Sequence, residues 1–271
     1  MSASSTPSSR AHDLDAAAGD EGLSRRSVTR GIAWSLPIVA AAAATPLAAA
    51  STLCSTTIST SSAVFSRISA TSALFTWIDL FGDGKDFTLT LSAVHNGASN
   101  MTINTTNNFL LDSSQQGGES QPSVRLSLDT VDLRNIGGGE RVTFSFALNG
   151  APVTVTDLSY KIKDVDGFQA QDGRGGTERV SVTAGTGTYN STWVQGQGTG
   201  ADPWRPSTTA PNVEVVPGST AGNVTVAAAS VSAFDLTFIG NNSGRAGTDR
   251  PNQNIWVGPF TFTVQDPVCA P

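Results

Sequence analysis

Histidine, cysteine and positive charge are all scarce in this chain. Of 271 residues only 2 are histidine and 2 cysteine, and Lys and Arg together number 16. His12 falls in an N-terminal segment that reads as a removable leader. His95 is then the one histidine left, which excludes histidine-based zinc sites and H-E-x-x-H chemistry. His95-Asn96-Gly97 has a turn-like setting after an alternating run, and no G-x-S-x-G elbow presents a serine to it. The basic residues form no cluster and the net charge is -6, so a nucleic-acid partner is not expected. Gly137-Gly138-Gly139 and Gly173-Arg174-Gly175-Gly176 lack the lysine and the strand-to-helix context of a phosphate loop, and read as turns. Beyond the leader there is no apolar run of about twenty residues, so no stable membrane span is expected there after cleavage. That part also lacks a helical period and a repeat of fixed length.

What is present begins with Ser24-Arg25-Arg26-Ser27-Val28-Thr29-Arg30, followed by an apolar run that ends in Ala48-Ala49-Ala50-Ser51. A charged n-region, an apolar h-region and a small-residue site with Ala48 and Ala50 are the three parts of an export signal. The mature chain is expected to begin at Ser51. Arg25 and Arg26 make the segment resemble the twin-arginine leader pattern, which implies a membrane export translocase as partner. The long n-region and the mildly apolar stretch from Gly31 to Leu47, interrupted by Ser35, Pro37 and Pro46, agree with it. Val28 and Thr29 depart from it, standing where that family prefers Phe and Leu, so a general secretory route stays open. Arg30 to Ala40 also resembles leaders of secreted proteins from high-GC Gram-positive bacteria, the actinobacterial type. Gly31 to Ala50 is long enough at ~1.5 Å per residue to serve as an uncleaved anchor, but its alanines and two prolines argue against that. Leu53 before Cys54 argues against lipidation. No C-terminal sorting signal is read at Val268-Cys269-Ala270-Pro271.

Residues 1–50 as signal peptide leave about 220 residues, a size that one all-β domain over 51–271 commonly has. Ser, Thr, Gly and Asn dominate that body while Lys and Glu are sparse, a composition of strands and turns. Apolar and polar residues alternate cleanly in Phe87-Leu89-Leu91, Val124-Leu126-Leu128 and Phe234-Leu236-Phe238, the mark of strands with one face on a core. Asn149-Gly150 between two such runs suits a type I′ hairpin turn, which would set Leu148 opposite Ala151, Phe146 opposite Val153 and Phe144 opposite Val155. The phase then changes near Thr156-Asp157, which calls for a bulge or a switch between sheets. A similar change between Ile255-Val257 and Phe260-Phe262, across Gly258-Pro259, suits a strand crossing between layers. About a dozen short strands with Gly, Asn, Asp and Pro between them predict an antiparallel two-sheet sandwich of jelly-roll kind, preceded by the signal helix. Gly185 to Pro211 lacks periodicity and reads as an ordered functional loop or a mobile cover.

Cys54 and Cys269 stand at opposite ends of the body, and an extracellular address favours their pairing. Closing that loop would remove roughly 5 kcal/mol of unfolded-state entropy on the chain-entropy model.

Two sets of residues are candidate sites. Asp164, Asp166, Asp172 and Glu178 place closely spaced carboxylates at a strand end, where they could supply the oxygens that Ca2+ takes; no other cofactor is indicated. Asp164 shares the inward phase of Ile162, and the alternative is an Asp-Gly turn whose carboxylates cap backbone N–H groups or pair with Arg174 or Arg179. Trp193 and Trp204 in the irregular segment could form an apolar platform for sugar rings, or fold back to close one end of the sandwich. The Asp-x-Asp-Gly segment leading into Glu178-Arg179-Val180-Ser181-Val182 resembles strand-loop-strand units in β-sandwich domains of bacterial surface proteins and adhesins, over roughly Val142 to Val182. That resemblance implies an extracellular sandwich with a metal-stabilised loop and names no substrate.

Three function classes follow. The leading expectation is a non-enzymatic secreted or envelope module, structural or adhesive, with an extracellular glycan or surface protein as partner. The second is a carbohydrate-binding module using Trp193 and Trp204. The third is a secreted glycan-active hydrolase, for which Asp164 with Glu178, or Asp79 with Asp83, are the nominations.

Overall fold

The alternating runs become strands whose apolar residues all face inward, in a computed structural model that describes residues 54–99, 101–131, 137–169, 175–210, 215–243 and 253–269. The leader, with Arg25, Arg26, Ala48 and Ala50, lies outside the described residues, as does Asp172. Among the described residues there is no α-helix, and none forms a helix long and apolar enough to cross a membrane.

In chain order the strands open with β1 (Ser55–Ser59), β2 (Val64–Ser69), β3 (Ser72–Trp77), β4 (Phe87–Gly97), β5 (Met101–Ile103), β6 (Leu111–Asp112) and β7 (Ser123–Thr130). There follow β8 (Gly138–Leu148), β9 (Ala151–Pro152), β10 (Val155–Lys163), β11 (Gly167–Gln169), β12 (Gly175–Val182) and β13 (Thr186–Tyr189). The last are β14 (Val194–Gln195), β15 (Arg205–Pro206), β16 (Val224–Val231), β17 (Ala233–Ser243), β18 (Gln253–Val257) and β19 (Thr261–Gln265). One antiparallel sheet has nine strands along the path β1-β19-β10-β18-β7-β5, with β16 on β10, β13 on β16 and β6 on β7. A second has eight, β11-β12-β17-β8-β4-β3-β2, with β9 on β8, and β14 pairs with β15 apart from both.

The apolar faces of the two sheets share one core. Phe87, Leu89, Leu91, Leu126, Leu128, Leu236 and Phe238 are fully buried. Rings join the layers directly: Phe262 of β19 lies 5.5 Å from Trp77, 5.6 Å from Phe87 and 5.1 Å from Phe146, all on the opposite sheet. Phe260 reaches Phe144 at 5.3 Å, and Tyr160 reaches Phe234 at 5.3 Å. Each such pair adds about 1 kcal/mol beyond the burial of its apolar area.

The Asn-Gly hairpin forms with the expected first pairs. Asn149 and Gly150 have φ of 49° and 79°, as a type I′ turn requires, and Leu148 stands opposite Ala151. The Val153 N–H still donates to Phe146 O at 3.1 Å. The pairing of Phe144 with Val155 does not occur, because Val155 already belongs to the other sheet, opposite Val231, while Phe144 is flanked by Leu91 and Phe234. The chain thus crosses between layers just after Pro152. A bulge follows as well, at Asp157 with φ 53°, where the register against β19 shifts.

At Gly258-Pro259 the expected layer crossing is replaced by a bend within one sheet. Both β18 and β19 run along β10, with Val257 opposite Ile162 and Thr261 opposite Ser159, and the Gly258 N–H donates to Lys161 O at 2.8 Å. The inserted residues restore the phase, so Ile255, Val257, Phe260 and Phe262 all face the core.

The segment after Gly185 is ordered rather than irregular, and it closes one side of the structure. β13 pairs with β16 of the nine-stranded sheet, while Trp204 bridges Val180 of β12 on the other, with N–H to O distances of 2.9 and 2.8 Å. Trp204 is fully buried between Gly187 and Gly198, and a Cβ at either glycine would fall inside the van der Waals surface of the ring. Gly187→Ala and Gly198→Ala are therefore expected to cost roughly 2 kcal/mol or more in urea unfolding, as overpacking does. Gly200→Ala, in the same loop with open space around it, should stay within about 0.5 kcal/mol.

Candidate functional site

At the end of β10 Asp166 and Glu178 come together, while Asp164 leaves the inward phase expected of it. Asp164 adopts φ 71° and is half-buried, and this turn hands the inward position to Val165, whose N–H donates to Gly222 O at 2.9 Å. Asp166 and Glu178 exchange hydrogen bonds: the Asp166 N–H donates to Glu178 Oε2 at 3.2 Å, and the Glu178 N–H donates to Asp166 O at 3.1 Å. Asp166 Oδ2 accepts the Val215 N–H at 2.6 Å. Glu178 is buried, and burial, then the charges of Asp166 and Asp164, push its carboxyl well above the usual range. Among the described residues no group of three or more metal-ligating side chains is arranged to hold an ion. One carboxylate oxygen each of Asp166 and Glu178 accepts a backbone N–H, as in the capping arrangement.

The tryptophan pair does not form a platform. Trp204 offers no face to a ligand, since it is fully buried, and Trp193 is half-buried against the core. Closing the side of the fold uses both rings for apolar area. His95 lies within β4 rather than in a turn, and its Nε2 is 2.9 Å from Met101 O. Asp79 and Asp83 serve their own loop: Asp79 Oδ1 accepts the Gly84 N–H at 2.6 Å, and Asp83 accepts from both the backbone and the ammonium of Lys85.

No family model, curated protein or solved structure matches the chain. The site has therefore to be read from its own chemistry.

Two polar arrangements carry most of it, and neither is spaced as a sequence motif. The first is a cleft on the outer face of the nine-stranded sheet. Because Tyr160 and Ile162 point inward, Lys161 points out, in one row with Thr225 of β16 and Thr188 of β13. Glu119, from the loop after β6, bridges two ammonium groups: Oε1 pairs with Lys161, and Oε2 lies 3.4 Å from Lys163. Lys163 is fully buried and donates to Ser123 Oγ at 3.0 Å. Burial lowers its pKa and Glu119 opposes that; burial of Glu119 is outweighed by the two lysines, which hold its carboxyl below the usual range. Position 117, with φ 56°, calls for glycine because a Cβ there would come within 2.9 Å of Lys163 Cβ and closer still to Asn223 Oδ1. The cleft has a volume of about 390 Å3, and Tyr189, Asn190, Thr220 and Asn223 complete its lining.

The second is a buried acid in the core. Glu140 of β8 accepts from Asn108 Nδ2 at 2.8 Å through Oε2, and Oε1 has no hydrogen-bond partner among the described residues. Asn108 is itself buried, donates to Ala70 O at 2.8 Å and accepts the Ser127 N–H at 2.8 Å, so it ties both sheets to the loop after β5. Burial pushes the Glu140 carboxyl from 4.5 up to about 8, against the hydrogen bond from Asn108. The folded state thus keeps a proton that the unfolded chain releases near its ordinary value. This contribution to stability is complete below that ordinary value and is lost as pH rises through about 8. Unfolding measured across this window should show the protein losing on the order of 3 kcal/mol relative to Glu140→Gln between about pH 5 and about pH 8. A parallel pH dependence in the variant would contradict the assignment.

Proposed function

We propose that the chain is an exported, non-enzymatic β-sandwich of jelly-roll kind, made with a signal helix, that serves as a structural or adhesive module at or outside a bacterial envelope. The observation that carries this reading is the meeting of the two ends of the body. β1 pairs with β19 along its length, the Asp266 N–H donates to Cys54 O at 3.0 Å, and the Cys269 N–H donates to Asp266 O at 3.1 Å. Both cysteines therefore flank one residue, Cys54 exposed and Cys269 partly so. In an oxidising compartment they pair and staple the first strand to the last, a device suited to a domain that works outside the cell. The twin-arginine-like leader supplies the route, with the export translocase as its partner, and the closed, ring-filled core supports folding before export.

A carbohydrate-binding role is the second reading, favoured by the polar cleft beside Lys161 rather than by the tryptophans. A hydrolase draws less support, because Asp79 and Asp83 accept backbone N–H groups of their own loop and Asp166 accepts the Val215 N–H. Calcium at the Asp164 and Asp166 turn would be an accessory to the fold.

Production in a high-GC Gram-positive host tests the main reading through intact mass. The protein recovered from the medium should begin at Ser51 and be about 2 Da lighter than its reduced form. Replacing Arg25 and Arg26 by Lys should hold it in the cell. A chain that stays inside with its leader intact, or an exported one that titrates two thiols when unfolded, would contradict the proposal.

A further inference from the structure

The cleft beside Lys161 has a charge and a lining that together select a ligand class. Two ammonium groups share the single carboxylate of Glu119, which leaves a local excess of positive charge on a chain whose net charge is -6. Lys163 is out of reach, being fully buried, whereas the Lys161 side chain is 36% exposed and has donors beyond the one it gives Glu119. The exposed positive charge is thus one ammonium, held by the part-exposed carboxylate of Glu119, whose other oxygen faces the buried Lys163.

Around it, apart from the Glu119 carboxylate already paired with the two lysines and the Tyr189 ring, the lining is hydroxyl and amide. Thr188 and Thr225 are cross-strand partners in the row that holds Lys161. Asn190 Oδ1 is engaged by the Thr192 N–H at 3.0 Å, which turns that side chain into a donor toward its surroundings. Tyr189 is held by its hydroxyl on Gly196 O at 2.7 Å, so its ring is a fixed wall. One ammonium is too little for a phosphate chain, and hydroxyls and amides suit a ligand covered in hydroxyl groups. The volume, about 390 Å3, falls in the range of small-ligand sites.

We propose that this cleft binds an acidic glycan, a saccharide bearing a carboxylate such as a uronic acid, with Lys161 receiving the carboxylate and the threonine and asparagine side chains receiving the ring hydroxyls. The inference rests on the extracellular reading only for where such a ligand is met; the binding is a property of the folded cleft.

Calorimetric titration of the full chain with an oligogalacturonate, and with a neutral galactose oligomer of equal length, decides it. The oligouronate should bind about tenfold or more tighter, with an affinity that weakens as salt is raised. Lys161→Gln should lose about tenfold for the acidic ligand, Thr225→Val, which keeps the ion pair, should weaken it severalfold, and Trp193→Ala should leave it unchanged. Equal affinity for the two oligomers, no heat with either at about 10 mM, or Lys161→Gln binding like the parent would overturn the proposal. Acetate competing as well as the uronate would overturn it too, reducing the cleft to a simple ion site. Failure of the chain to leave the cell would count against the export reading and leave these titrations untouched.

Discussion

The contact on which the rest of the structure depends is the ring-to-ring seam between the two sheets. Phe260, in the bend before β19, and Phe262 of β19 meet Phe144, Phe146, Phe87 and Trp77 of the eight-stranded sheet, and Tyr160 joins the seam through Phe234. Apolar burial of this size is the main favourable term in folding, and it is available only while both sheets present their apolar faces to each other. The crossing after Pro152 follows from that demand. A hairpin continued past Val153 would have kept Val155 and Tyr160 on the sheet of Phe144, whereas crossing puts them opposite it. The side closed by Trp204 and the ends joined by β1 and β19 then protect edges that the seam alone leaves open.

Much of this was legible in the residues. Alternation located the inward faces of Phe87-Leu89-Leu91, Val124-Leu126-Leu128 and Phe234-Leu236-Phe238, because a period of two has one physical reading when one face is buried. Asn149-Gly150 located a turn because only such residues take positive φ at both central positions. A phase change, by contrast, reports that the chain bends and not where it goes next. The same signal meant a layer crossing with a bulge near Val155 and an in-plane bend at Gly258-Pro259, and the difference lies in which strand runs alongside. Asp164 departs from the inward phase of Ile162 for a related reason: one residue at φ 71° shifts the phase, and Val165 takes the inward position.

The site was the least legible part. Glu119 lies 42 residues from Lys161 and Asn108 lies 32 from Glu140, so both pairs are products of topology rather than of local spacing. For Trp204 the residues left two places open, a binding platform or the closed end of the sandwich, and Gly187 and Gly198, which let the ring pack inside, decide for the second. At the cleft the fold leaves outside a hydroxyl and amide surface with one lysine held by Glu119.

The central claim is that the two sheets are held face to face by these rings, and a double-mutant cycle between Phe146 and Phe262 tests it most directly. The rings are 5.1 Å apart at an interplanar angle of 66°. With each residue changed to Leu alone and together, equilibrium unfolding should give a coupling of about 1 kcal/mol. Strict additivity, within about 0.3 kcal/mol, would contradict the account.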